Sequence, residues 1–176
     1  KSRFCTEMAQ ALEADGWRIL QTRAAPHEPS EPWLIAGRLL RGRFGSAADP
    51  GTLDRMAVML AGAGLDAAAV GLLAVLGAEI DDPVWQSLKP EQRRRRMLDS
   101  CRGWLIAESR AGPLCLVVDD LQWVDGESDT PLRELVDALA DTHALLLLAA
   151  RSEQAPDWAA RGPLVQIPLR PLESVA

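Results

Sequence analysis

The sequence predicts an α/β fold, a three-layer α/β/α arrangement with a mainly parallel sheet between helices. Three observations carry this. The runs 114–118 and 144–150 are apolar throughout rather than alternating, and a strand of that kind is buried on both faces, as parallel strands between helices are. Amphipathic helical stretches separate the strand-like segments, which supplies the crossovers that parallel strands need. The 176 residues make a one-domain length, with no internal repeat and no low-complexity linker.

Composition narrows the class. Hydrophobic residues are 48 % of the chain and charged residues 25 %, enough apolar material for a core and ordinary charge for a soluble protein. A net charge of -6 argues against broad electrostatic binding to nucleic acid or anionic membrane, since both need clustered positive charge. No apolar run reaches the roughly 18 residues of a membrane span. Cys5, Cys101 and Cys115 lack metal-type spacing and sit in apolar patterns. They read as buried thiols in a reducing, cytoplasmic compartment.

The elements follow in order. Residues 1–15 read as a helix whose apolar face is Phe4, Met8, Ala11 and Leu12, stopped at Gly16. Residues 17–22 are short, half apolar and bounded by breakers, hence a strand. Pro26, Pro29 and Pro32 then forbid regular structure. A helical insertion is expected over 32–88. Pro32 would open a helix carrying Trp33, Leu34, Leu39 and Leu40, and 54–60 and 66–76 would form two more, broken by Gly62, Gly64 and Gly77. Residues 90–110 form a long helix, since Met97, Leu98, Cys101, Trp104 and Leu105 repeat at helical spacing. Gly112-Pro113 ends it. The strand 114–118, a helix over 130–140 (Leu132, Leu135, Val136, Leu139), the strand 144–150 and a weaker strand 164–169 complete the pattern.

Chemistry concentrates where apolar strands end. The strand 114–118 runs directly into Asp119-Asp120, which places two carboxylates at the C-terminal edge of the sheet, where open α/β sheets bind ligands. Adjacent carboxylates repel unless one faces a cation. The economical reading is a Walker B motif, with Asp119 holding Mg²⁺ through water and Asp120 orienting or deprotonating an attacking water. An acidic turn, with Asp120 capping a local group, is the alternative. Lys1-Ser2 opens the first helix, as the last two residues of a Walker A loop, G-x-x-x-x-G-K-[ST], do. Lys1 would then reach the β- and γ-phosphates and Ser2 would ligate Mg²⁺, with helix N-terminal N–H groups favouring the anion. Because the chain starts at Lys1, it is expected to be a piece of a longer protein, an N-terminally truncated core over 1–176. Arg151, just after the strand 144–150, is placed to sense a γ-phosphate, or is an ordinary surface arginine.

The segment Leu116-Val117-Val118-Asp119-Asp120-Leu121-Gln122-Trp123-Val124-Asp125 resembles the hhhhDDLHWAD signature of STAND-type, AAA-like P-loop ATPase modules. These occur in bacterial LuxR-type and MalT-like regulators and beside class III cyclase and protein-kinase domains. Lys1-Ser2-Arg3-Phe4 resembles the tail of that family's G-x-G-K-S-R-L. The stretch 90–96 is similar to its helix before Walker B, 147–153 to its hhhhTYRPEE segment and 168–172 to its L-x-PL end. Gln122 stands where the family usually has histidine.

The resemblance implies a three-layer α/β/α P-loop NTPase core that uses ATP and Mg²⁺. Lys1 and Ser2 would serve phosphate and metal, Asp119 would hold Mg²⁺, Asp120 would activate water and Arg151 would act as sensor. It implies a regulatory switch joined to effector domains outside this chain (DNA-binding, cyclase or kinase), with a homo-oligomer left open and neither direct nucleic-acid nor membrane contact expected. The second reading is a nucleotide-binding or scaffold module that mediates assembly without turnover.

The remaining features read as structural. Trp123 is expected to pack against a neighbouring helix and Asp125 to order the turn. Residues 93–96 are four arginines pointing almost all the way round a helix, a solvated helix start rather than one basic face. His27 and His143 have no ligand-type neighbours in sequence.

Overall fold

The computed structural model describes residues 1–26, 33–49, 51–124, 126–139, 142–151 and 165–169. The described elements are α1 (Ser2–Ala14), β1 (Arg18–Arg23), α2 (Leu34–Phe44), α3 (Thr52–Gly62), a 3-10 turn (Asp66–Ala68), α4 (Ala69–Val75), α5 (Pro83–Ser87), α6 (Pro90–Ala111), β2 (Leu114–Asp119), a second 3-10 turn (Leu121–Trp123), α7 (Gly126–Leu139) and β3 (Ala144–Leu148). The three strands form one parallel sheet in the order β1-β2-β3. The chain is therefore α/β, as its apolar runs require.

Alternation along β2 divides the core between two faces. Leu114, Leu116 and Val118 join Leu20 of β1 in a large cluster with Leu39 and Leu40 of α2, Trp104 and Leu105 of α6, and Leu132 and Leu135 of α7. Cys115 and Val117 face the other way, against Cys5 and Ala9 of α1. All of β2 is buried, so its backbone polar groups are satisfied only by pairing on both edges. Between α4 and α6 the backbones come close. A Cβ on Gly71 would lie 2.9 Å from the Arg96 carbonyl and closer still to the Ser100 side chain, so only glycine fits at this point of the helix.

Four expectations need correction. The buried face of α1 is Cys5 and Ala9, with Leu12 beside them, while Phe4 and Met8 are exposed. Small side chains let the helix backbone approach the sheet, and the 5-9-12 spacing fits a helix as well as 4-8-12 does. β3 is half-buried along its length rather than fully buried, because among the described residues it is an edge strand. Residues 165–169 form no strand, and Val165, Ile167 and Leu169 are exposed; Leu164 lies outside the described residues. Trp123 is exposed rather than packed.

Two boundaries also move. The helix expected over 66–76 divides into a 3-10 turn and α4, and α7 begins before Thr130 and runs through Pro131. His27, Pro29, Pro32, Asp125, Ser152, Glu153 and the segment 170–172 lie outside the described residues.

Candidate functional site

In-register parallel pairing aligns the strand ends. Arg23 pairs with Asp119, and Val118 pairs with Leu148. The last residue of β1, the acids closing β2 and the residues after β3 therefore meet at one edge of the sheet. The N-terminus of α1 arrives at the same edge. The Lys1 Nζ donates to the Ala150 carbonyl at 2.9 Å, and the Ser2 hydroxyl lies near enough to the Asp119 carboxylate to help hold its charge. The start of α1 is thus brought to the edge where β2 ends.

Asp119 is 1 % exposed. An isolated carboxylate could not stay ionised at that depth. The Arg23 Nη2 donates to Asp119 Oδ2 at 2.8 Å and the Asp120 N–H to Oδ1 at 2.9 Å. Burial pushes the carboxyl pKa up. The hydrogen bonds from Ser2, Arg23 and the Asp120 N–H, together with the Arg23 charge, outweigh burial and hold it below the usual carboxylate range. Asp119 is consequently an anion at neutral pH. Arg23 is the residue that sequence reasoning missed. It lies 96 positions from Asp119, and only its place as the last residue of the first strand could have signalled it.

The second acid is held differently. Asp120 takes the left-handed conformation (φ 58°, ψ 41°), which aspartate tolerates better than most residues. The turn is pinned by Leu121 N–H to the Ala149 carbonyl at 2.9 Å and by Trp123 N–H to the Asp120 carbonyl at 3.0 Å. Asp120 Oδ1 accepts from Gln122 Nε2 at 3.0 Å, and Oδ2 lies 3.6 Å from Arg23 Nε. The Gln122 Oε1 in turn accepts the Arg151 N–H at 3.2 Å. The structure thus brings Lys1, Ser2, Asp119, Asp120 and the backbone of Arg151 to one edge. The exposed Arg151 side chain is not drawn into the acid pair.

The donor set suits a hard cation. Ser2 and Asp119 offer neighbouring oxygen atoms, and Mg²⁺ takes one or two protein oxygens and completes its shell with water and phosphate. Among the described residues there is no group of three or more His, Cys, Asp or Glu side chains that could hold a metal, so an all-protein cage is not what this edge offers. The buried thiols are protonated. Burial pushes Cys101 up to about 12, and burial with the neighbouring Cys5 pushes Cys115 up to about 11. All three cysteines are buried and free.

A parallel α/β sheet with a buried acid at its C-terminal edge, touched by a Lys-Ser helix start, defines a nucleotide-binding P-loop-like module. The chain matches the AAA ATPase domain family over residues 1–161, and it belongs to that family. Membership implies nucleotide binding, usually with Mg²⁺. No curated protein and no solved structure matches the chain. Among the described residues no helix is long and apolar enough to cross a membrane.

Proposed function

We propose that this chain is the ATP-binding and ATP-hydrolysing switch of a larger cytoplasmic signalling or transcription-regulating protein, of the STAND type that its Asp-Asp-Leu-x-Trp stretch resembles. The observation that carries the proposal is the arrival of Lys1 and Ser2, at the start of α1, at the edge where β2 ends in Asp119, which supports a phosphate-and-metal site drawn from two distant parts of the chain. Lys1 neutralises the β- and γ-phosphates. Its present bond to the Ala150 carbonyl parks the ammonium at the sheet edge from which a phosphate would draw it. Ser2 and Asp119 would hold Mg²⁺, which would supply charge neutralisation on the phosphates when bound. Arg23 pairs with Asp119 through a side chain that is 58 % exposed, so water could take over its hydrogen bonds if it released the carboxylate.

Asp120 aligns the attacking water, so that catalysis comes from positioning and charge stabilisation. Arg151 answers the γ-phosphate from the end of β3. Hydrolysis then changes the edge contacts, and attached effector domains read the change.

Calorimetric titration of the intact natural protein with MgATP, beside Lys1→Ala, tests this. Binding should weaken by tenfold or more in the variant, about 1.4 kcal/mol. Equal binding in both proteins would remove Lys1 from the phosphate site. No binding in either would leave a scaffold that keeps the fold without the chemistry.

A further inference from the structure

Gln122 is absorbed by none of the roles above, yet its side chain touches both Asp120 and the backbone after β3. Its amide is oriented by chemistry alone. A carboxylate only accepts and a backbone N–H only donates, so Nε2 must face Asp120 and Oε1 must face Arg151. One planar group therefore ties the exit of β2 to the exit of β3. It does so across a turn whose first residue sits in the left-handed conformation, where the backbone has little freedom to adjust. Oδ1 of Asp120 is fixed by Gln122 while Oδ2 faces Arg23, so releasing Gln122 leaves the carboxylate free to rotate toward the guanidinium.

We propose that Gln122 is a positioning residue. It sets the orientation of the Asp120 carboxylate and couples it to the backbone at Arg151, so that a shift at either strand end is felt at the other. The role rests on the reading of Asp120 as the water-directing group. Misplacing such a group by about 1 Å costs on the order of a hundredfold in rate.

The test uses the intact protein and steady-state phosphate release. Gln122→Ala should lower kcat by about tenfold to a hundredfold while KM for ATP stays within about twofold, since Gln122 touches neither Lys1 nor Asp119. Gln122→His keeps one donor and one acceptor while the imidazole is neutral, so it should restore most of kcat at pH 8. As pH falls through the imidazole pKa, near 6.5 when unperturbed and higher beside a carboxylate, the acceptor becomes a donor. Its kcat should then fall more steeply than that of the natural protein. A purely space-filling role predicts no such pH profile.

Asp120→Asn, which tolerates the left-handed backbone, separates the role of Gln122 from that of Asp120. Unchanged turnover in Asp120→Asn sinks the role of Asp120 itself. Loss there with wild-type kcat in Gln122→Ala sinks the role of Gln122 alone. The Arg151 amide resonance gives a readout independent of turnover. It should move on Asp120→Asn when Gln122 is present and stay put when Gln122→Ala is already in place. Equal movement in both backgrounds overturns the coupling.

Discussion

Two carboxylates, each 1 % exposed, lie at opposite ends of the same sheet, and each is met by an arginine from an end of β1. Glu108 of α6 binds Arg18 at the start of β1, and it binds Arg43 of α2 at 2.6 Å. Trp104 Nε1 adds a contact at 3.4 Å. Asp119 binds Arg23 at the other end of β1, and its remaining partners are a hydroxyl and a backbone N–H. The charges are alike and the surroundings are not. At Glu108 the partners come from three packed elements and close over both oxygens, so the group fastens α2 and α6 to the sheet. At Asp119 the arginine is more than half exposed and the hydroxyl sits on a helix end, so the partners can be exchanged. A buried charge with fixed partners is structural, whereas one with replaceable partners is ready for a ligand.

The contrast is broken most directly at Glu108. Glu108→Ala should cost about 2–3 kcal/mol in urea unfolding, less than a fully sealed pair would, because Arg18 and Arg43 are 40 % and 28 % exposed and can turn toward water. A cost near zero would remove the fastening role.

Asp119→Asn should cost about 1 kcal/mol or less at neutral pH, since its charged partner is exposed. It should also remove one source of the natural protein's loss of stability in acid. The folded-state pKa of Asp119 is lowered, so its contribution is present above the unfolded value, about 3.9, and is lost as pH falls through the folded value. Urea midpoints of natural and Asn proteins should therefore differ by a constant amount above about pH 5 and converge below about pH 4. A gap that widens on acidification would contradict the assigned direction.

The smallest effect is expected at Arg23→Ala. The Arg23 side chain is more than half exposed and water can take its place, so thermal unfolding should scarcely move. A loss as large as that of Glu108→Ala would mean that the two ends of β1 are built alike.

The sequence by itself determined β1, β2 and β3, most helices and the place of two acids at the end of β2, while the strand expected over 164–169 did not form among its described residues. β2 was legible because an unbroken apolar run ending in two acids fits a buried strand that meets solvent at its last residue, and α6 because Met97, Leu98, Cys101, Trp104 and Leu105 repeat over several turns. Periodicity and composition are local, and these elements are dictated locally. Only the tertiary structure decided which side of α1 meets the sheet, since two interleaved spacings both fit a helix and the small pair, Cys5 and Ala9, lets the backbone come closer. It alone found Arg23 for Asp119 and Arg18 for Glu108, partners 96 and 90 positions apart. Ion pairs of that span follow from strand register, and register is set by how the whole chain packs.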